Sequence, residues 1–279
     1  MYQILSKEIL NPTVEKMEIK APYIAKKCKA GQFVMLMVEE DGERIPLTIA
    51  DHNREKESVT IVYQVVGYTT KLLSTKKQGD KLFALSGPMG KAVKHSKEVK
   101  RVLGIAGGVG SAPLLPQIKE YHDLGISCDV IIGGRSSEYI LLEKEMKEHS
   151  KNLYICTDDG SKGTKGFVTN MLTQLIEQGE KYDEVIAIGP LVMMRAVVNI
   201  TKELNIKTSV SLNPIMIDGT GMCGGCRLTY DGETKFACVD GPDFDGFKVD
   251  FEELISKADM YKEHEAKHIC KLDRGGNNE

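Results

Sequence analysis

Up to about residue 98 the apolar positions fall in short runs of β type: Thr13–Ala21, Gln32–Val38, Pro46–Asp51, Ser58–Val66 and Lys81–Leu85. Turn signals such as Glu40-Asp-Gly and Gln78-Gly-Asp separate them. Their regular spacing predicts a small antiparallel β-barrel, with Tyr68–Lys77 as its one helix. The rhythm changes at Lys100. Val102–Ala106, Cys128–Ile132, Leu153–Cys156, Glu184–Ile188 and Lys207–Leu212 read as buried strands. They alternate with helical stretches at Leu114–Leu124, Leu141–His149, Phe167–Gln178 and Leu191–Leu204. Strands alternating with helices of this length predict a doubly wound parallel sheet. The last part, 213–279, carries clustered cysteines and a charged tail expected to be partly helical from Phe251 to Lys262. The expected organisation is a barrel over 1–98, an α/β unit over 99–212 and a cysteine segment over 213–279.

Composition narrows the function classes. A net charge of -3 over 279 residues has no polyanion-binding signature, so no nucleic-acid partner is expected. The apolar runs are far shorter than a membrane span, and the N-terminus lacks the basic-then-apolar order of a signal peptide, so a cytoplasmic location is expected. The seven cysteines are odd in number. Four of them, Cys28, Cys128, Cys156 and Cys270, stand alone, which argues against a disulfide framework. Cys128 and Cys156 sit in apolar strand-like runs and read as core residues.

Gly107-Gly-Val-Gly-Ser-Ala-Pro follows a strand and opens a helix. In that context glycines let a pyrophosphate approach backbone N–H groups at a positive helix terminus. A tight strand-to-helix turn without ligand is the plainer reading. Two more loops, Thr157-Asp-Asp-Gly-Ser and Gly189-Pro-Leu-Val-Met-Met, fall at strand C-terminal ends, where open parallel sheets bind ligands. In the barrel, Arg44 before Ile45-Pro-Leu-Thr offers a fork of donors for a phosphate, although alone it is also an ordinary surface arginine. Gly67-Tyr-Thr-Thr opens the barrel helix and is a second phosphate cradle.

As an ordered set these motifs resemble the ferredoxin–NADP reductase superfamily, over about residues 1–212. The matching positions are Arg44, Pro46, Leu47 and Thr48, then Gly67 and Thr70, then Gly107, Gly108, Gly110, Ala112 and Pro113. The resemblance implies that Arg44 and Thr70 hold the phosphates of FAD, with Thr48 and the backbone of Val65, Val66 and Gly67 near its rings. It implies NAD(H) on the loops carrying Gly107–Pro113, Asp158, Asp159, Gly189, Pro190 and Met193. Hydride transfer needs no acid or base, so no catalytic side chain is expected, and none of the six histidines is given a role. Arg135, after the second sheet strand, is in place to face a 2′-phosphate, whereas the resemblance tilts toward NAD(H).

Cys223, Cys226 and Cys238 follow a C-x2-C-x11-C spacing, and Asp218 stands five residues before Cys223. The run is the plant-type [2Fe–2S] spacing with aspartate in the first position. An ionised carboxylate can bind iron. Gly219, Gly221, Gly224 and Gly225 bare the loop backbone, whose N–H groups tune such clusters. A structural zinc on three cysteines with Asp or His is the alternative, disfavoured by the asymmetric spacing and the glycines. Asp218 also reads as a simple turn residue before Gly219, which would leave Cys270 or an external group as the fourth ligand.

Barrel, sheet and cysteine segment together resemble the electron-transfer subunit of dihydroorotate dehydrogenase, a family with four cysteines where this chain has three and an aspartate. Asp218–Arg227, Cys238 and Gly241–Phe251 are more similar still to the small-subunit family of the NADH-dependent reduced ferredoxin:NADP oxidoreductases, also called sulfide dehydrogenase subunits. That likeness implies electron flow among NAD(H), FAD and a [2Fe–2S] cluster. It also implies a heterodimer with a larger flavin/[4Fe–4S] subunit, a link to ferredoxin through that subunit, and electron bifurcation as a property of the complex. The competing readings are the dihydroorotate-linked subunit and, in another class, a nucleotide-binding regulatory protein with structural zinc.

Overall fold

A computed structural model describes residues 1–96 and 98–258. Cys270 and residues 259–262 of the expected tail helix lie outside the described residues.

The first unit is built from β1 (Tyr2–Asn11), β2 (Val14–Lys20), α1 (Pro22–Lys27), β3 (Phe33–Met37), β4 (Arg44–Asn53), β5 (Ser58–Gln64), α2 (Tyr68–Thr75), β6 (Lys81–Leu82) and β7 (Ala84–Met89). The strands form one antiparallel sheet in the order β6-β1-β2-β5-β4-β3-β7. Its two outermost strands, β6 and β7, are consecutive in the chain and joined only through Phe83, whose N–H bonds Val38 O. One bent strand therefore nearly closes the sheet into a barrel. Alternation fills the interior: Val34 and Leu36 of β3 point in, among Ile4, Met17, Ile19, Ile61, Tyr63 and Leu73. Phe33 and Met35 of the same strand point out and join a different core.

Two features depart from expectation here. β1 adds a strand that was not singled out, and α1 is a second helix. Pro22 at its first position costs no hydrogen bond there.

The α/β unit follows as β8 (Arg101–Gly107), α3 (Ser111–Asp123), β9 (Ser127–Gly134), α4 (Glu143–His149), β10 (Asn152–Thr157), β11 (Thr164–Lys165), α5 (Val168–Glu177), β12 (Glu184–Ile188), α6 (Leu191–Glu203) and β13 (Lys207–Ser211). The parallel strands run β11-β10-β9-β8-β12-β13. One face is covered by α3 and α4 through Leu114, Ile118, Tyr121 and Met146. The other is covered by α5 and α6 through Met171, Leu172, Met194 and Val197. The sheet is doubly wound, as the alternation of strands and helices predicts.

The cysteine segment holds β14 (Arg227–Tyr230), β15 (Glu233–Phe236), α7 (Ala237–Asp240), β16 (Asp243–Asp245) and α8 (Phe251–Ala258). β14 and β15 form a hairpin, whereas β16 pairs antiparallel to β13 and extends the large sheet. The segment is thus woven into the α/β unit, which was not anticipated from its sequence. A single core contains Phe33 and Met35 of the barrel, Cys226 and Cys238, and the buried faces of α5 and α6. A second seam packs Ala112 and Leu141 on Val14, Ala50 and Val62. Lys119 of α3 pairs with Asp51 of β4 at 2.8 Å across that seam. Among the described residues no helix is long and apolar enough to cross a membrane.

Candidate functional site

β8 and β12 are neighbours, and the chain winds outward from them in opposite directions. Such a switch point opens a crevice at the strand C-terminal ends. The glycine loops meet there. A Cβ on Gly110 would lie 2.2 Å from Ile188 O, so only glycine lets the helix start approach β12. A Cβ on Gly107 would lie 2.6 Å from Met193 Sδ, and one on Gly189 would lie 2.7 Å from Met193 Cε. Gly107, Gly110, Gly189, Pro190 and Met193 are therefore one packed group, while Gly108, at φ +55°, faces open space. Pro113 lies half-buried in the first turn of α3. Ala112 is different: its side chain is buried in the seam against the barrel, so any approach to a nucleotide there falls to its backbone.

The third loop is tied to the second sheet strand. Asp158 N–H bonds Gly134 O at 3.1 Å and Asp159 N–H bonds Arg135 O at 3.3 Å. Asp159 accepts from the Ser161 hydroxyl at 2.6 Å and its N–H at 2.9 Å, and these bonds hold its carboxyl below the ordinary range. Arg135 is exposed on the adjoining loop.

On the barrel, β4 lies against β3 with Arg44 opposite Met37, Pro46 opposite Met35 and Thr48 opposite Phe33. Directly paired residues share a face. Arg44, Pro46 and Thr48 thus sit on the outer face with Met35 and Phe33, whereas Leu47 packs toward the barrel core. Arg44 is exposed and makes no ion pair among the described residues. At the start of α2 the Thr70 hydroxyl accepts from Val66 N–H and Gly67 N–H, each at 3.0 Å, so it caps the helix. Val65 packs beside the barrel core and Val66 is exposed.

In the cysteine loop the four expected ligands form two touching pairs. Asp218 accepts from Thr220 N–H at 2.7 Å and Cys223 N–H at 3.0 Å, and these bonds hold its carboxyl below the ordinary carboxylate range. Cys226 Sγ accepts from Cys238 N–H at 3.4 Å. Burial, and then the neighbouring Cys226 sulfur, push the Cys238 thiol up to about 12. Among the described residues no three His, Cys, Asp or Glu side chains stand at metal-ligand separations. The donor chemistry nonetheless fits an iron–sulfur group. Backbone N–H groups meet two of the sulfurs, Gly225 on Cys223 and Cys238 on Cys226, each at 3.4 Å. Gly219, Gly221 and Gly224 all take positive φ, which the tight loop requires.

Sequence reasoning missed two neighbours of this loop. A Cβ on Gly219 would lie 2.6 Å from Met89 Sδ and 2.7 Å from Met35 Cγ, so the loop rests on two barrel strands. Nothing in the sequence distinguishes these methionines from ordinary strand residues.

Comparison with known proteins agrees with this geometry. The family described as the oxidoreductase NAD-binding domain matches residues 105–199. The iron–sulfur cluster binding domain of dihydroorotate dehydrogenase B matches residues 213–250. Barrel, switch-point crevice and cysteine loop define an electron-transferring oxidoreductase of the ferredoxin-reductase fold.

A protein of Clostridium beijerinckii described as lying in the adh 3′ region is 47% identical, over 99% of this chain and 95% of its own. The Thermotoga maritima homolog of the dihydroorotate dehydrogenase B (NAD(+)) electron transfer subunit is 43% identical, over 88% of this chain and 86% of its own. The chain belongs to the family of these electron transfer subunits. A solved chain of the NADH-dependent reduced ferredoxin-NADP oxidoreductase, described for flavin-based electron bifurcation, superposes with a TM-score of 0.92. It is 39% identical, with 98% of each chain covered. The iron–sulfur family match removes the structural-zinc reading.

Proposed function

We propose that this chain is the small subunit of an NADH-dependent reduced ferredoxin:NADP oxidoreductase. The observation that carries the reading is the placement of the cysteine loop against the barrel face that presents Arg44, Pro46 and Thr48. A flavin accepts a hydride and releases electrons singly, which suits it to stand between a nicotinamide and a one-electron [2Fe–2S] cluster.

Residues 1–98 hold FAD. Arg44 supplies a bidentate donor to its phosphates, and the N-terminal turn of α2, capped by Thr70, supplies backbone N–H groups. Thr48 and the Val65–Gly67 backbone flank its rings. Residues 99–212 receive NAD(H) in the crevice formed by Gly107–Pro113, Asp158, Asp159, Gly189, Pro190 and Met193. Asp218, Cys223, Cys226 and Cys238, in the part from 213 onward, hold the cluster. Ile217 and Met222 expose 60% and 89% of their surface beside this loop, which suits coverage by a larger flavin/[4Fe–4S] subunit that exchanges electrons with ferredoxin in the cytoplasm.

Anaerobically purified chain will be yellow-brown, with one FAD, iron and acid-labile sulfide, and will reduce dyes with NADH. A colourless, iron-free protein would overturn the reading. The name of the Thermotoga relative favours a second reading, the dihydroorotate-linked subunit. The co-purifying partner decides between them: a [4Fe–4S] flavoprotein for the first, a flavoprotein lacking such clusters for the second.

A further inference from the structure

Gly219 takes φ +76°, and the space where its side chain would stand is filled by the thioethers of Met35 and Met89. Met35 is 2% exposed and lies directly opposite Pro46 in the β3–β4 ladder. Met89 lies opposite Phe33 in the β3–β7 ladder, and Phe33 in turn lies opposite Thr48. Met35 shares its core with Cys226 and Cys238, and Met89 packs against that core. A continuous packed path therefore runs from the Arg44–Thr48 strand through Met35 to Gly219, the residue next to Asp218.

We infer that Met35 and Met89 are positioning residues: with the bare backbone of Gly219, they set the separation between the flavin face of the barrel and the cluster loop. This rests on the reading above of both sites. Methionine suits the task, because its unbranched side chain fills irregular gaps that a β-branched residue would leave. Electron transfer between fixed centres weakens steeply with separation, so a slack contact here acts on that step and spares hydride transfer. The balance is simple. NADH gives up a hydride and leaves as NAD⁺; its two electrons cross to the cluster one at a time and pass to an external one-electron acceptor such as ferricyanide; one proton goes to solvent.

The test uses full-length protein carrying FAD and iron, mixed rapidly with NADH without oxygen. Flavin bleaching and cluster reduction are followed separately, and amide hydrogen exchange of residues 217–226 is measured before mixing. Met35→Ala will leave bleaching unchanged and slow cluster reduction severalfold, the cost of an ångström or two of added tunnelling distance. It will also raise exchange in the loop. Met35→Leu, which conserves volume, will restore both to within about twofold. If Met35→Ala sheds its iron, the same rates in Met89→Ala decide, since that thioether flanks Gly219 beside Met35. Unchanged cluster reduction and unchanged exchange in an iron-replete Met35→Ala or Met89→Ala overturns the inference. A wild-type chain without flavin or iron defeats the underlying reading instead.

Discussion

Asp243 Oδ2 accepts a hydrogen bond from Gln117 Nε2 at 3.1 Å, joining the cysteine-bearing segment to the helix that leaves the nucleotide loop. The barrel closes on the same carboxylate, since a Cβ on Gly31 would lie 2.9 Å from Asp243 Oδ2. Its other oxygen, Oδ1, is sealed from solvent and has no partner. Burial pushes this acid up to about 6, against the hydrogen bond from Gln117 that favours the charged form.

The sign of the resulting pH dependence follows directly. The folded chain binds this proton more tightly than the unfolded chain, so Asp243 contributes most to stability below the unfolded value of 3.8. That contribution is lost as pH rises through about 6. Above that, the buried charge costs about 3 kcal/mol. Asp243→Asn will therefore melt higher than wild type at pH 8, with the difference shrinking as pH falls toward 5. A difference in Tm that does not vary with pH would refute this account.

Asp129 is fully buried and accepts from Arg101 Nη2 at 2.6 Å, Asn152 Nδ2 at 2.9 Å and Tyr182 OH at 3.0 Å. Asp129→Ala strands these donors and should cost about 3 kcal/mol in urea unfolding. The network lies at the end of the sheet opposite the nucleotide loops, so KM for NADH in the surviving folded protein should be unchanged. A shifted KM would show that the two ends of the sheet are coupled.

Gly110→Ala places a methyl against Ile188 O and forces the first turn of α3 away from β12. NADH–dye activity is expected to fall at least about tenfold, through KM, while FAD content stays at wild-type level. Activity within about twofold of wild type would remove this crevice from the nucleotide site.

Asp218 is the test of the cysteine loop. Asp218→Ala should lose iron and sulfide, whereas Asp218→Cys, which restores the four-thiolate plant-type set, should keep them. Flavin content and NADH-driven bleaching should be unaffected in both. Iron retained in full by Asp218→Ala would assign the carboxylate to its turn alone, where it already bonds Thr220 and Cys223 N–H.

Most of the architecture is legible because its signals are local. The alternation of Val34 and Leu36 with Phe33 and Met35 gives β3, and every strand and helix expected between Lys100 and Leu212 is present within a few residues. α1 was hidden because six residues are too few for a helical period to declare itself. β16 was hidden for another reason. Asp243-Phe-Asp carries no strand signal of its own and becomes a strand only because β13 offers it a ladder. The site divides in the same way. The glycine loops and cysteine spacing are patterns along the chain, but the burial of Ala112 in the seam and the Met35–Gly219 contact join residues far apart in sequence. Such contacts are properties of packing, and no window of sequence contains them.

The pairing of β16 with β13 bears on how the protein can be divided. A chain ended after Leu212 would leave β13 as a bare outer strand, with Ser209, Val210 and Ser211 stripped of their β16 partners. Unpaired ladder groups of that kind recruit strands from other molecules. A nucleotide-binding fragment made this way should therefore form soluble aggregates, while a fragment carried through Lys248 should stay monomeric. The iron-binding segment doubles as the guard strand of the sheet it serves.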